Sequence, residues 1–124
     1  MIKALTAWYY SRIAYFAMFF KQFEIAADYW IRMAALRPKD PLPYTSAAHC
    51  KADQNKNLEA EILLRKALEV DPNYTAAWFN LGFLIQKRED HVEALRCFDM
   101  AIRFHEKMDR AHYGRALSLI ALDR

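Results

Sequence analysis

His49 and Cys50 stand side by side, and with His91, Cys97, His105 and His112 they are all the imidazoles and thiols of this 124-residue chain. A nucleophile with its base, or a transition-metal site, would have to draw on them. Neighbouring residues on a helix point about 100° apart, so His49 and Cys50 do not easily face one metal. No second cluster completes four ligands. His105 and His112 fall in or near a turn, and His91 falls at a helix start. Nothing matches a phosphate-binding loop, a Ser-His-Asp set or a zinc-binding helix. The reading is of a chain that is not an enzyme, with no catalytic residue, no metal site and no cofactor. Two distant cysteines make no disulfide framework. Reduced thiols acting as small buried hydrophobes suit a cytoplasmic protein.

The elements that would position any other chemistry are helices. Hydrophobic residues make up 55% of the chain, and there are 2 Gly and 4 Pro, too few breakers for a sheet of many hairpins. The net charge of +3 comes from 18 Lys and Arg against 15 Asp and Glu. With no charge run and no RNA-binding motif, this excludes nucleic acid as the expected partner. Residues 4–20 are mostly apolar, which invites reading them as a membrane anchor. Arg12 in their middle, the repeated Tyr and the lack of a small-residue cleavage site argue against it.

Internal repetition organises the chain. Pro38 and Pro72 each follow a helical pattern and lie 34 residues apart (72 minus 38). The same offset aligns Tyr10, Tyr44, Trp78 and His112. It also aligns Ala14, Ala48, Gly82 and Ala116, then Ala26, Ala60 and Ala94, then Trp30, Leu64 and Phe98, then Ala67 and Ala101. Small residues in two columns let paired helices approach, and large ones fill the spaces left. One hairpin cannot bury both its faces, so such units must stack. The pattern predicts helices over 4–20, 24–36, 42–54, 58–70, 75–87, 91–104 and 109–122. Asp90 with Glu93 is expected as an N-cap and capping box, and Asn57 as a further N-cap. Met33, where a small residue is expected, should loosen the first unit. Glu106, where a proline is expected, should lengthen the turn it occupies or make it more helical.

A 34-residue period with these residue types resembles the tetratricopeptide repeat. The segment Ala77-Trp78-Phe79-Asn80-Leu81-Gly82, followed by Glu93-Ala94-Leu95 and Phe98, carries the likeness most closely. The resemblance covers residues 7–122 and implies an all-α fold, a right-handed solenoid. Residues 1–124 would form a single domain, with repeats at 7–40, 41–74 and 75–108 and a final helix at 109–122. It further implies that the first helix of each unit lines a concave face. Its inward positions here include Trp8, Tyr15 and Phe19, then His49, then Phe79, Phe83 and Lys87, then Tyr113. These are taken as a peptide-binding groove, because its surplus aromatics are good anchors for a partner. The plainer reading is that some of these rings pack on their neighbours. Relatives that grip C-terminal carboxylates of heat-shock chaperones use a basic clamp. Its positions fall on Ser11, Tyr15, Ser46, Ala76 and Asn80, of which only Asn80 could serve, so that ligand is not expected.

The expected function is a protein–protein interaction module that binds a peptide or helical segment of a protein partner. Three rivals stand beside it. One is a homo-oligomer joined through the apolar C-terminal helix, residues 117–122. Another is a small bacterial secretion-type chaperone. The third is a catalytic protein built on the same scaffold, which loss of turnover on changing His49 would reveal.

Overall fold

The computed structural model describes residues 1–123, and among them the regular structure is seven helices. These are α1 (Ile2–Phe19), α2 (Phe23–Leu36), α3 (Pro41–Asp53), α4 (Asn57–Val70), α5 (Thr75–Lys87), α6 (His91–Phe104) and α7 (Asp109–Ala121). Each lies within two residues of its expected bounds. The chain divides into two compact units, Met1–Asp71 and Pro72–Arg124. None of the described helices is long and apolar enough to cross a membrane.

The 34-residue period is written into the backbone. Lys21, Asn55, Glu89 and Asp123, spaced by 34, are the non-glycine residues with positive φ, at 58°, 62°, 64° and 60°. In the first three, the chain turns out of one helix and into the next through the same pair of hydrogen bonds. The left-handed residue donates three residues back, as in Asn55 N to Ala52 O at 2.9 Å. The following residue donates five back: Gln22 to Ala17, Lys56 to Lys51 and Asp90 to Ile85, at 2.8, 2.9 and 3.3 Å. This is the Schellman closure, which satisfies carbonyls left open at a helix end. Glycine is the usual occupant of such a position; here none is used.

Helix starts are more varied. Asp40 caps α3 by accepting from Leu42 N at 3.0 Å, with Pro41 in the first turn, where its missing N–H costs nothing. Asp90 caps α6 as expected, accepting from Glu93 N at 3.3 Å. The Glu93 carboxylate binds Arg96. Asn57 is not a cap. It is the first residue of α4, and Lys56 holds the cap position without a side-chain bond, since a lysine side chain has no acceptor to offer the helix N–H groups. The turn containing Glu106 is not lengthened: 105–108 spans four residues, as do 37–40 and 71–74.

In the first unit, α1 packs on α2, α2 on α3 and α3 on α4. The core joins Ala7, Ala14 and Ala17 to Ala26, Ala27, Trp30 and Met33, and to Ala47 and Cys50. The Trp30 indole donates to the Met18 sulfur at 3.3 Å. Met33 is buried within this core rather than left in a looser one, since an unbranched thioether adapts to an irregular gap.

In the second unit, α6 packs on both α5 and α7, and Phe98 is fully buried. Two glycines make room for its ring. A Cβ on Gly82 would lie 3.0 Å from Phe98 Cε1, and one on Gly114 only 2.6 Å from Phe98 Cζ. Trp78 Nε1 donates to Pro72 O at 2.7 Å, and His112 Nε2 lies 2.7 Å from Glu106 O. Both partners shift by 34, so one column ties its turn in the same way twice. In the first unit the same column has Tyr10 packed edge-on against Tyr29 at 5.5 Å.

Candidate functional site

The expected groove residues are best followed unit by unit. In the first, α1 presents Trp8, Tyr15 and Phe19 at 60%, 52% and 80% exposure. Their spacing of seven and then four residues keeps them on one side of the helix. The Tyr15 ring is shared with the core, standing edge-on to Trp30 with centroids 5.0 Å apart. Trp8, Tyr9, Arg12, Ile13, Tyr15 and Phe16 line an open hollow of about 650 Å³. His49, on α3, is exposed, and its Nε2 lies 3.3 Å from Asp53 Oδ2 one turn on.

In the second unit, Phe83 and Tyr113 are well exposed. Lys87 lies over the Phe83 ring, its Nζ 4.9 Å from the centroid, which keeps a cation beside an aromatic face. Phe79 is half-buried. Its ring lies 6.1 Å from that of Phe98, and the Arg110 guanidinium covers it at 4.9 Å. Phe79 thus belongs partly to the core, which corrects its reading as a surplus aromatic.

Reactive chemistry is muted. Cys50 is fully buried. Burial, with the Asp53 charge adding to it, pushes its thiol up to about 11, so it is protonated at neutral pH and is a poor nucleophile. Cys97 is also a free, buried thiol. Among the described residues, no group of three or more His, Cys, Asp and Glu could hold a metal ion.

Two features escaped the sequence reading. Gln86 Nε2 donates to Gly114 O at 2.8 Å and to Ser118 Oγ at 2.9 Å, and His91 Nδ1 lies 3.2 Å from the same hydroxyl. Ser118 is fully buried. Since its hydroxyl accepts from Gln86, its one proton is free for His91 Nδ1. A serine inside the apolar run of α7 was the available signal. The second feature is a further exposed aromatic set, formed by Tyr9 and Phe16 on α1 and by Phe20 just past its end. Spacing by seven and then four residues would have revealed it. On α7, Tyr113, Leu117 and Ile120 are likewise exposed.

Paired helices closed by the same left-handed turn every 34 residues, with small residues seating large ones between them, define a helical-repeat protein. Residues 63–96 match the tetratricopeptide repeat family, and solved tetratricopeptide-repeat domains share the fold over nearly the whole chain. It is similar to the first tetratricopeptide domain of Spaghetti (RPAP3), solved bound to the HSP90 peptide SRMEEVD. The TM-score is 0.91 at 17% identity, covering 97% of this chain and 95% of that one. The second such domain of human RPAP3, in complex with the HSP70 peptide SGPTIEEVD, aligns with a TM-score of 0.86 at 17% identity, covering 94% and 97%. In sequence, the chain is 25% identical over 99 residues to Protein FlbA of Caulobacter vibrioides. The match takes in 80% of this chain and spans 17% of FlbA.

Proposed function

We propose that this chain is a protein-binding module whose exposed aromatic side chains anchor a peptide or helical segment of a partner protein. The observation that carries the reading is the exposure of Trp8, Tyr15 and Phe19 on α1 and of Phe83 and Tyr113 on α5 and α7. Large rings held in water by rigid helices are costly to leave bare and favourable to cover. The similar domains of RPAP3 hold peptides, which supports the same class of ligand. Free, buried Cys50 and Cys97 fit a reducing compartment such as the cytoplasm.

The ligand differs in chemistry from the acidic-ended peptides of those neighbours. At the positions where the family places its basic clamp, this chain has Ser11, Tyr15, Ser46, Ala76 and Asn80. Two desolvated carboxylates would find no counter-charge there. The expected ligand is apolar, held by two or three anchors. Each contributes about 1.5–3 kcal/mol against an association cost of several kcal/mol or more, for a dissociation constant on the order of micromolar.

Capture of the partner by wild type, Tyr15→Ala and Phe83→Ala, run in parallel and identified by mass spectrometry, tests the reading. Both variants should keep their helical circular dichroism while the partner recovered by wild type falls about tenfold or more. Unchanged recovery would count against the aromatic anchors. The peptide SRMEEVD, titrated calorimetrically, should give no saturable binding at micromolar concentration; tight binding would show that the missing clamp does not matter.

A further inference from the structure

Most of the solvent-facing side chains of α1 are apolar or aromatic; Lys3 and Arg12 are its two charges, and Thr6 and Ser11 are partly exposed. Ile2, Leu5, Tyr9, Ile13, Phe16 and, just past the helix end, Phe20 follow one another at steps of three or four residues, which makes a single stripe. Ile2, Leu5, Tyr9, Phe16 and Phe20 are 84%, 66%, 57%, 67% and 55% exposed. This stripe is distinct from the one formed by Trp8, Tyr15 and Phe19.

The repeat register says what kind of element covers such a face. Shifted by 34, Tyr9, Ile13 and Phe16 become Pro43, Ala47 and Cys50, all buried. In α3, Ala47 and Cys50 close on Ala26, Ala27, Trp30 and Met33 of α2. The equivalent face of α1 is therefore shaped to lie along a helix. On α3 it is small, so α2 approaches closely; on α1 it is aromatic and suits a wider pair.

The spacing also says which helix. Reversed end to end, the stripe falls back on itself: Ile2 stands opposite Phe20, Leu5 opposite Phe16 and Tyr9 opposite Ile13, about a point near residue 11. Aromatic side chains cover about 150–250 Å² each, so the stripe with its flanking rings offers on the order of 700 Å² per chain. That is close to the ~800 Å² per partner of a standard interface. Arg12 sits beside the stripe, where a charge remains at the solvated rim of such a pair.

We propose that α1 pairs antiparallel with α1 of a second copy of this chain, forming a closed two-fold dimer through Leu5, Tyr9, Ile13 and Phe16. Each copy lends the same patch, so association ends at two.

Sedimentation of the whole chain over a wide concentration range tests this with three variants. Wild type should pass from monomer to dimer and no further. Leu5→Lys and Phe16→Glu should each weaken the dimer by about tenfold or more, with unchanged circular dichroism because both sites are exposed. The double variant, Leu5→Lys with Phe16→Glu, should recover dimer formation in low salt, since Lys in one copy then opposes Glu in the other, and should lose it again in high salt. Three outcomes would overturn the proposal: a monomer at every concentration, a dimer indifferent to Phe16→Glu, or single-variant losses that the double variant does not restore. Vesicles rich in anionic lipid are the control for a membrane role of Lys3, Arg12 and the rings. Binding of a monomer to them in place of self-association would overturn it too.

Discussion

The core of the second unit and helix α1 of the first put their bulk in opposite places. In the second, Phe98 is fully enclosed, and Gly82 and Gly114 make the space for it. In the first, α1 turns alanines inward and aromatics outward. Ala7, Ala14 and Ala17 meet the core, while Trp8, Tyr9, Tyr15, Phe16 and Phe19 face water. The small-against-large pairing that closes a repeat is present in both. In α1 most of the large side chains are left largely uncovered by their own unit, with Tyr10 and part of Tyr15 the exceptions. Rings withheld from the core add little to folding and are the ones proposed for recognition, so enclosed and exposed rings should answer differently to the same substitution.

The largest effects sharpen that contrast. Phe98→Ala and Trp30→Ala remove fully buried rings and should each cost about 3–5 kcal/mol. Phe16→Ala, a ring of the same size left exposed, should change stability by no more than about 0.5 kcal/mol. Urea denaturation of the three variants checks this, and a large loss for Phe16→Ala would erase the distinction between enclosed and exposed rings.

Cys50 gives the next largest effect through pH. Its thiol is raised from 9.0 to about 11 in the fold, so the folded state favours the neutral form. The stability linked to it is whole below pH 9 and is lost as pH rises from about 9 to 11, where the unfolded thiol ionises first. The loss amounts to about 2–3 kcal/mol. Comparing wild type with Cys50→Ala across that interval isolates it, because the other alkaline groups titrate in both. Native Cys50 should also resist alkylation at neutral pH.

Gly114→Ala should cost about 1–3 kcal/mol, since the new methyl meets an enclosed ring at 2.6 Å. Phe98→Leu in the same chain should recover part of that loss. If Gly114→Ala alone were neutral, the second unit would be less tightly closed than its geometry indicates. The smallest effect has the opposite sign. Glu89→Gly relieves a left-handed backbone at φ 64° and should stabilise by up to about 1 kcal/mol, seen as a rise in Tm.

Much of the fold was legible because five columns of residue types kept one period, and Pro38, Pro72 and Asp90 marked where helices end or begin. The Asn57 cap was misread, since its turn is fixed by backbone bonds at Asn55 and Lys56 that leave no signature in residue type. The left-handed turns escaped for the same reason: Lys21, Asn55 and Glu89 share a conformation but no chemistry. Half of the aromatic surface was found. Trp8, Tyr15 and Phe19 follow the inward positions of the repeat. Tyr9 and Phe16 sit where the repeat expects a covered face, and reading one face of α1 hid the other. Phe79 fell between the two, because spacing alone does not tell a ring that lies on Phe98 from one in water.

Photo-crosslinking tests the central claim most directly. A photoreactive phenylalanine is placed at Tyr15, at Phe83 and, as a control, at Lys66 on the exposed side of α4, and the partner-containing adducts are weighed. The account predicts adducts from positions 15 and 83 and none from 66. Adducts from position 66, with none from 15 or 83, would place the partner on another surface and contradict it.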